Sequence, residues 1–222
     1  MEHIAHIVKH VETQIQTKYP KEFNLLDPEF CQYFIFGCVQ EIAFYSKEYN
    51  IEQLARTIKD RIKVTHKWRL TQTYKNVKLT DVRHTHAPYF PKILRKYEQL
   101  VWPLRIYEYA NSWFVIIRFQ ETNYTKAFQE MTPEEIKFAA TYHQECTFRQ
   151  LYINNSQKGV HLVMDCSHLT WPIFYNGIKL PLKHLVQVVS DHYPGLVKKI
   201  ILYQLPFVCR TAVNVARPFL PL

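Results

Sequence analysis

Glycine is the first scarcity. The 222-residue chain holds 4 glycines, Gly37, Gly159, Gly177 and Gly195, each isolated, where average usage of roughly 7% would supply about four times as many. Loops that cradle phosphates need clustered glycines so that backbone amides can approach the anion. P-loop and dinucleotide-fingerprint chemistry are therefore excluded. The 5 cysteines, Cys31, Cys38, Cys146, Cys166 and Cys209, are odd in number and include no C-x-x-C pair, which excludes a disulfide framework and a structural zinc site. Long apolar runs are missing as well. Nothing approaches the ~18 residues of a membrane span, and residues 1–18 carry Glu2, Lys9 and Glu12 where a signal peptide needs a continuous apolar stretch. The expectation is an intracellular, cytoplasmic, soluble protein.

What is present is apolar mass and positive charge. Hydrophobic residues make up 47% of the chain and aromatics 15%, enough for a substantial core. Lys and Arg number 28 against 19 Asp and Glu, a formal charge of +9. The excess is local: residues 1–50 net −3, 51–100 net +8, 101–150 net −1 and 151–222 net +5. A basic surface of this kind meets either nucleic acid or an anionic membrane. The basic residues are spread singly along helical patterns and form no Arg-rich or Lys-rich run, so no nucleic-acid partner is expected.

The periodicities divide the chain into a helical front and a mixed rear. Ile4, Ile7, Val8, Val11 and Ile15 predict an amphipathic helix over 2–17, ended by Tyr19-Pro20. Asp27-Pro28-Glu29 opens a second helix, and Asn50 caps a third that runs to Trp68-Arg69. A fourth spans 91–101. Residues 105–109 and 113–119 are β-branched and aromatic around Ala110-Asn111-Ser112, a hairpin. Thr132-Pro133-Glu134-Glu135 starts a helix to about residue 152. Then follow a strand at 160–164, a helix at 182–192, a strand at 199–205 and a helix at 209–219. Strand, helix, strand, helix predicts a parallel βαβ unit and an α/β sheet covered by helices. The expected organisation is a helical module over 1–75 and an α/β domain over 76–222.

Chemistry-bearing residues are sparse. His84 with His86, and His143 with Cys146, offer metal ligands without a third or fourth at recognisable spacing, so no metal is expected. There is no G-x-S-x-G elbow. Asp165 stands at a strand exit, where a carboxylate either catalyses or caps the next turn. Cys166 and Cys209 are either thiol nucleophiles or small apolar core residues. No catalytic residue is assigned.

Two segments carry a likeness. Residues 158–165 read K-G-V-H-L-V-M-D; further on come Tyr193-Pro194, the strand at 199–205 leading into Pro206-Phe207, and the closing Pro218-Phe219-Leu220. Upstream, Tyr49-Asn50-Ile51-Glu52 through Trp68-Arg69 is similar to a helical module that ends in a Trp-Arg pair. Together these resemble the CRAL-TRIO lipid-binding family, which includes phosphatidylinositol, tocopherol and retinal carriers. The resemblance implies an α/β fold in which a sheet floor flanked by helices encloses a lipid beneath a movable helix, behind an all-helical N-terminal module. It assigns Met164, Ile200, Leu202 and Gln204 on the strands, and Cys209, Val213 and Ala216 on the movable helix, to the lipid pocket. Arg69 remains as a headgroup or structural residue. Lys198, Lys199, Arg210 and Arg217 would face an anionic membrane.

The departures from that pattern are specific. Phosphoinositide binders of the family place an acid directly after the Tyr-Pro, and here that position is Gly195. The hydroxyl pair of phosphatidylcholine binders is replaced by Val160 and Leu162. No headgroup is therefore implied, and the pattern up to Leu222, without the family's last strand and closing helices, gives the expectation of a shortened form, a fragment or a member that no longer holds cargo. The leading reading is non-enzymatic binding or transfer of a hydrophobic lipid, with no other cofactor. The alternative is a protein-interaction or tethering module that keeps the fold without cargo and has a protein partner; an enzyme built on Asp165 or Cys166 is the third.

Overall fold

The computed structural model describes residues 2–45, 50–72, 92–101, 105–153, 159–175, 179–207 and 209–210. The chain divides into two compact units. The first comprises residues 1–78 together with 191–196, and the second residues 79–190 and 197–222.

The first unit is helical: α1 (Glu2–Lys18), α2 (Pro20–Phe23), α3 (Pro28–Tyr45) and α4 (Ile51–Leu70). The starts of α3 and α4 have a local cause. Asp27 Oδ1 accepts the amides of Glu29 and Phe30 at 3.1 and 3.2 Å, with Pro28 at the first helical position. Asn50 does the same for Glu52 and Gln53 ahead of α4. The α1 stripe of Ile7, Val11 and Ile15 and the α4 stripe of Leu54, Ile58 and Ile62 are buried, as amphipathic spacing requires. Helix α1 ends at Lys18, just before Tyr19-Pro20 as expected, and Pro20 then serves as the first residue of the single-turn α2, a position where its missing amide costs nothing.

The second unit contains α5 (Lys92–Leu100), β1 (Ile106–Tyr109), β2 (Ser112–Arg118), α6 (Tyr124–Glu130), α7 (Pro133–Ile153), β3 (Val160–Asp165), the short α8 (Trp171–Ile173), α9 (Lys179–His192, whose last two residues fall in the first unit) and β4 (Val197–Tyr203). Helix α7 opens on a reciprocal cap: the Glu135 amide donates to Thr132 Oγ1 at 3.2 Å, and the Thr132 amide to Glu135 Oε2 at 2.7 Å. It is buried around most of its circumference, and the Arg149–Glu145 pair inside it, 2.6 Å apart, is closed to solvent. Among the described residues the sheet runs in the order β1-β2-β3-β4. The β1–β2 pair is an antiparallel hairpin, and β2, β3 and β4 are parallel. Ala110 and Asn111 turn the hairpin with φ of 48° and 58°, the double left-handed geometry whose twist matches that of the flanking strands. This is the mixed α/β fold that the sequence predicts.

Candidate functional site

The sheet has two chemically different faces. Side chains alternate along a strand, and the register fixes which of them are neighbours. Val115, Leu162 and Ile200 stand in one row, Ile117, Met164 and Leu202 in the next, and Trp113, Val160 and Val197 in a third. Every one of these nine positions on β2, β3 and β4 is apolar. β1 adds Ile106, with Glu108 as an exposed charge at the corner. On β2 and β3 this face is buried, with Val160, Leu162 and Met164 at 2%, 5% and 3% exposure; on β4, Val197, Ile200 and Leu202 are half-buried.

Val197 reaches that face only through an irregularity. Val160 is opposite Val197 but His161 is opposite Lys199, so Lys198 is an extra residue in β4. Such a bulge shifts the side-chain parity by one, which places a valine in the apolar row. The other face is mixed. Tyr107, Phe114, His161 and Lys199 form one row, Ile116, Val163 and Ile201 another, and Arg118, Asp165 and Tyr203 the last.

The sequence-assigned residues now have places. Met164, Ile200 and Leu202 share the apolar face. Gln204 does not follow them, because β4 ends at Tyr203 instead of residue 205. Gln204 takes φ 49°, is exposed, and its amide donates to the Tyr203 hydroxyl at 3.1 Å. A left-handed residue ends the two-residue repeat. Cys209 is buried at the start of a helical turn, and Arg210 is exposed with Nε donating to the Leu205 carbonyl at 3.0 Å. Lys198 and Lys199 are exposed. Val213, Ala216 and Arg217 lie outside the described residues, as do His84 and His86.

Arg69 belongs to the first unit, and its guanidinium lies over the Phe30 ring at 4.3 Å. Beside it Trp68 stacks on His192 at 3.9 Å and meets Tyr193 edge-on. The Thr65 hydroxyl is 3.2 Å from His192 Nδ1. Burial, followed by the charges of Arg61 and Arg69, pushes His192 down to about 4, so it is a neutral stacking partner. The next turn is held by backbone proximity. Gly195, at φ 71°, donates its amide to Glu41 Oε1 at 3.1 Å, and the other oxygen of Glu41 accepts from Arg61 at 3.0 Å. Gly37 faces this turn: a Cβ there would lie 2.0 Å from the Pro194 carbonyl oxygen. Nothing local in the sequence marks Gly37 or Glu41 as partners of a segment some 155 residues away.

The catalytic alternatives find no support in this geometry. Asp165 caps the turn after β3, accepting the Ser167 amide at 3.1 Å; the Ser167 hydroxyl first, and this amide second, hold its carboxyl below the usual range. Burial pushes the Cys166 thiol up to about 12, and its hydrogen points to the Met164 carbonyl; a nucleophilic thiol needs the opposite shift. His143 is buried against the Tyr97 ring with Nε2 3.3 Å from Glu98 Oε1, and burial holds Cys146 up at about 12. Among the described residues no three side chains form a metal cluster, and no helix is long and apolar enough to cross a membrane.

An apolar sheet face behind a βαβ crossover agrees with the last observation. The CRAL/TRIO domain profile matches residues 98–221, more than half of the chain. The chain belongs to the CRAL/TRIO domain family. CRAL/TRIO domains are, as a class, lipid-binding and lipid-transfer modules and not enzymes. No curated protein matches the chain. Within the CRAL/TRIO match lie all four strands, α6, α7 and α9, so the apolar face is part of the family region.

Proposed function

We propose that this CRAL/TRIO chain binds a hydrophobic lipid and transfers it at an anionic membrane surface in the cytoplasm, without catalysing a reaction. The observation that carries the reading is the sheet face on which nine of nine positions of β2, β3 and β4 are apolar. An acyl chain offers no hydrogen bond, so its floor must present no polar group that binding would strand. Met164, Ile200 and Leu202 form that floor. Cys209 is assigned to the cover over that floor, and Val213 and Ala216, outside the described residues, are the family-pattern candidates for the same role. Gln204 drops out of the lining, since it stands beyond the strand.

Membrane contact is supported by a second set of side chains. Because β3 and β4 are parallel, the chain leaves both at the same end of the sheet. Trp171 and Tyr175, stacked at 6.0 Å, follow β3, and Phe207 follows β4. They are 44%, 54% and 80% exposed. Aromatic rings with an apolar body suit the headgroup boundary. Lys198, Lys199, Arg210 and Arg217 supply attraction to anionic lipid, at roughly 1 kcal/mol per charge near the surface.

Native mass spectrometry and solvent extraction of the purified full chain, with a liposome-to-liposome transfer assay, test the proposal. Stoichiometric co-purified lipid and transfer to anionic acceptor vesicles are expected. A chain that is always empty and moves no lipid overturns it. One observation favours the alternative, a tethering module with a protein partner: the near-complete burial of Val160, Leu162 and Met164 describes a face already covered without cargo. Capture of a defined protein by the lipid-free chain is the outcome that reading requires.

A further inference from the structure

The geometry points to a transition-metal site on the outer face of α1, formed by His6 and His10 and separate from the lipid reading. Both imidazoles are exposed, and their ring centroids are 4.2 Å apart at an interplanar angle of 48°. Residues four apart share a helix face, and two histidines at this spacing are the helical arrangement that chelates a single ion.

The protonation pattern is set by the backbone. His10 Nδ1 lies 3.1 Å from the His6 carbonyl oxygen. A carbonyl oxygen only accepts, so Nδ1 carries the hydrogen. The lone pair of the neutral ring is then on Nε2, at the outer end of the side chain. Metal-bound histidines use the same device: one nitrogen is anchored to a carbonyl, which orients the ring and raises the basicity of the other. The anchor is supplied by the helix itself and needs no rearrangement when an ion arrives.

Imidazole donors select borderline d-block divalent ions, with Cu(II) held more tightly than Zn(II) or Ni(II). Among the described residues no third His, Cys, Asp or Glu completes a cluster, so water would fill the remaining positions. The site is thus an open two-nitrogen site with exchangeable positions, unlike the closed four-ligand sites of structural zinc.

The test is titration of the full chain with Cu(II) ions alone, followed by visible absorption and electron paramagnetic resonance. The wild type is compared with His6→Ala and His10→Ala. Both positions are exposed and alanine is the best helix former, so the variants keep the fold. Linking two ligands raises affinity through effective concentration; each single variant is expected to bind Cu(II) about 10²-fold more weakly, and the two-nitrogen signature to fall to one. Unchanged affinity in either variant, or a wild-type spectrum with a single imidazole nitrogen, overturns the assignment. His168→Ala, an exposed histidine far along the chain, serves as control: a loss there equal to that of the α1 variants also overturns it.

Discussion

The turn at residues 193–195 and the apolar sheet face are built to opposite tolerances. At the turn, Gly37 and Gly195 bring backbone against backbone. Trp68 lies flat on His192, and Glu41 is committed at both oxygens. Each contact there depends on a particular residue type. On the sheet face the requirement is only that every position be apolar, and Trp, Val, Ile, Leu and Met all occur. A contact that must hold one segment in one place needs shape; the lipid floor proposed for the sheet face would need only the absence of hydrogen-bonding groups. The first unit thus shows specificity of geometry and the second specificity of polarity.

The sharpest way to break this contrast is Gly37→Ala. Alanine would gain about 1 kcal/mol of helix propensity within α3, yet its Cβ would meet the Pro194 carbonyl, which belongs to backbone and cannot swing aside. A net loss of about 3 kcal/mol is expected in urea unfolding; an unchanged midpoint would show that the turn is not held by shape. Next in size is the pH response of His192. Its folded value, about 4, lies below the ordinary 6.5, so the unfolded chain takes up the proton first as pH falls. Stability is therefore complete above about pH 6.5 and is lost progressively toward pH 4. Allowing for solvent screening, the loss is on the order of 2 kcal/mol. Chemical denaturation across that interval should show it, and His192→Phe should flatten the slope while keeping a ring on Trp68.

The smaller effects sharpen the sheet side of the comparison. Leu202→Ala, on the half-buried apolar face, should cost about 1 kcal/mol and reduce the lipid recovered with the purified chain. Ile201→Ala, its neighbour on the mixed face, is 36% exposed and should stay within ~0.5 kcal/mol with lipid recovery unchanged. If the two variants lose lipid equally, the apolar face is not the floor.

Much of the fold was legible because its signals are local. Asp27-Pro28, Asn50 and Thr132 through Glu135 cap their helices with side chains one turn away, and the Ala110-Asn111 turn sits between two β-rich runs. The alternation along β4 also placed Ile200 and Leu202 on one face, together with Gln204, and the family resemblance added Met164. What was not legible depends on distant or non-repeating geometry. Gln204 continues the alternation by letter, but its backbone turns left-handed, which glutamine does not announce. Lys198 is one lysine of a pair until the partner strand shows it to be supernumerary. In β2, Phe114 and Ile116 are as apolar as Trp113, Val115 and Ile117, so the two faces cannot be told apart without the register. Helix α2 and the docking of residues 191–196 with α3 and α4 leave no periodic trace at all.

The extra residue in β4 has a consequence for how molecules of this protein meet one another. Among the described residues β4 is the outermost strand of the parallel set. A free strand border is a template for intermolecular pairing and, from there, for fibrous self-association. Here a second chain laying a regular strand along that border would fall out of step at Lys198 and meet two adjacent ammonium groups. Among the described residues, the same irregularity that completes the apolar row thus also makes β4 a poor template for an added regular strand.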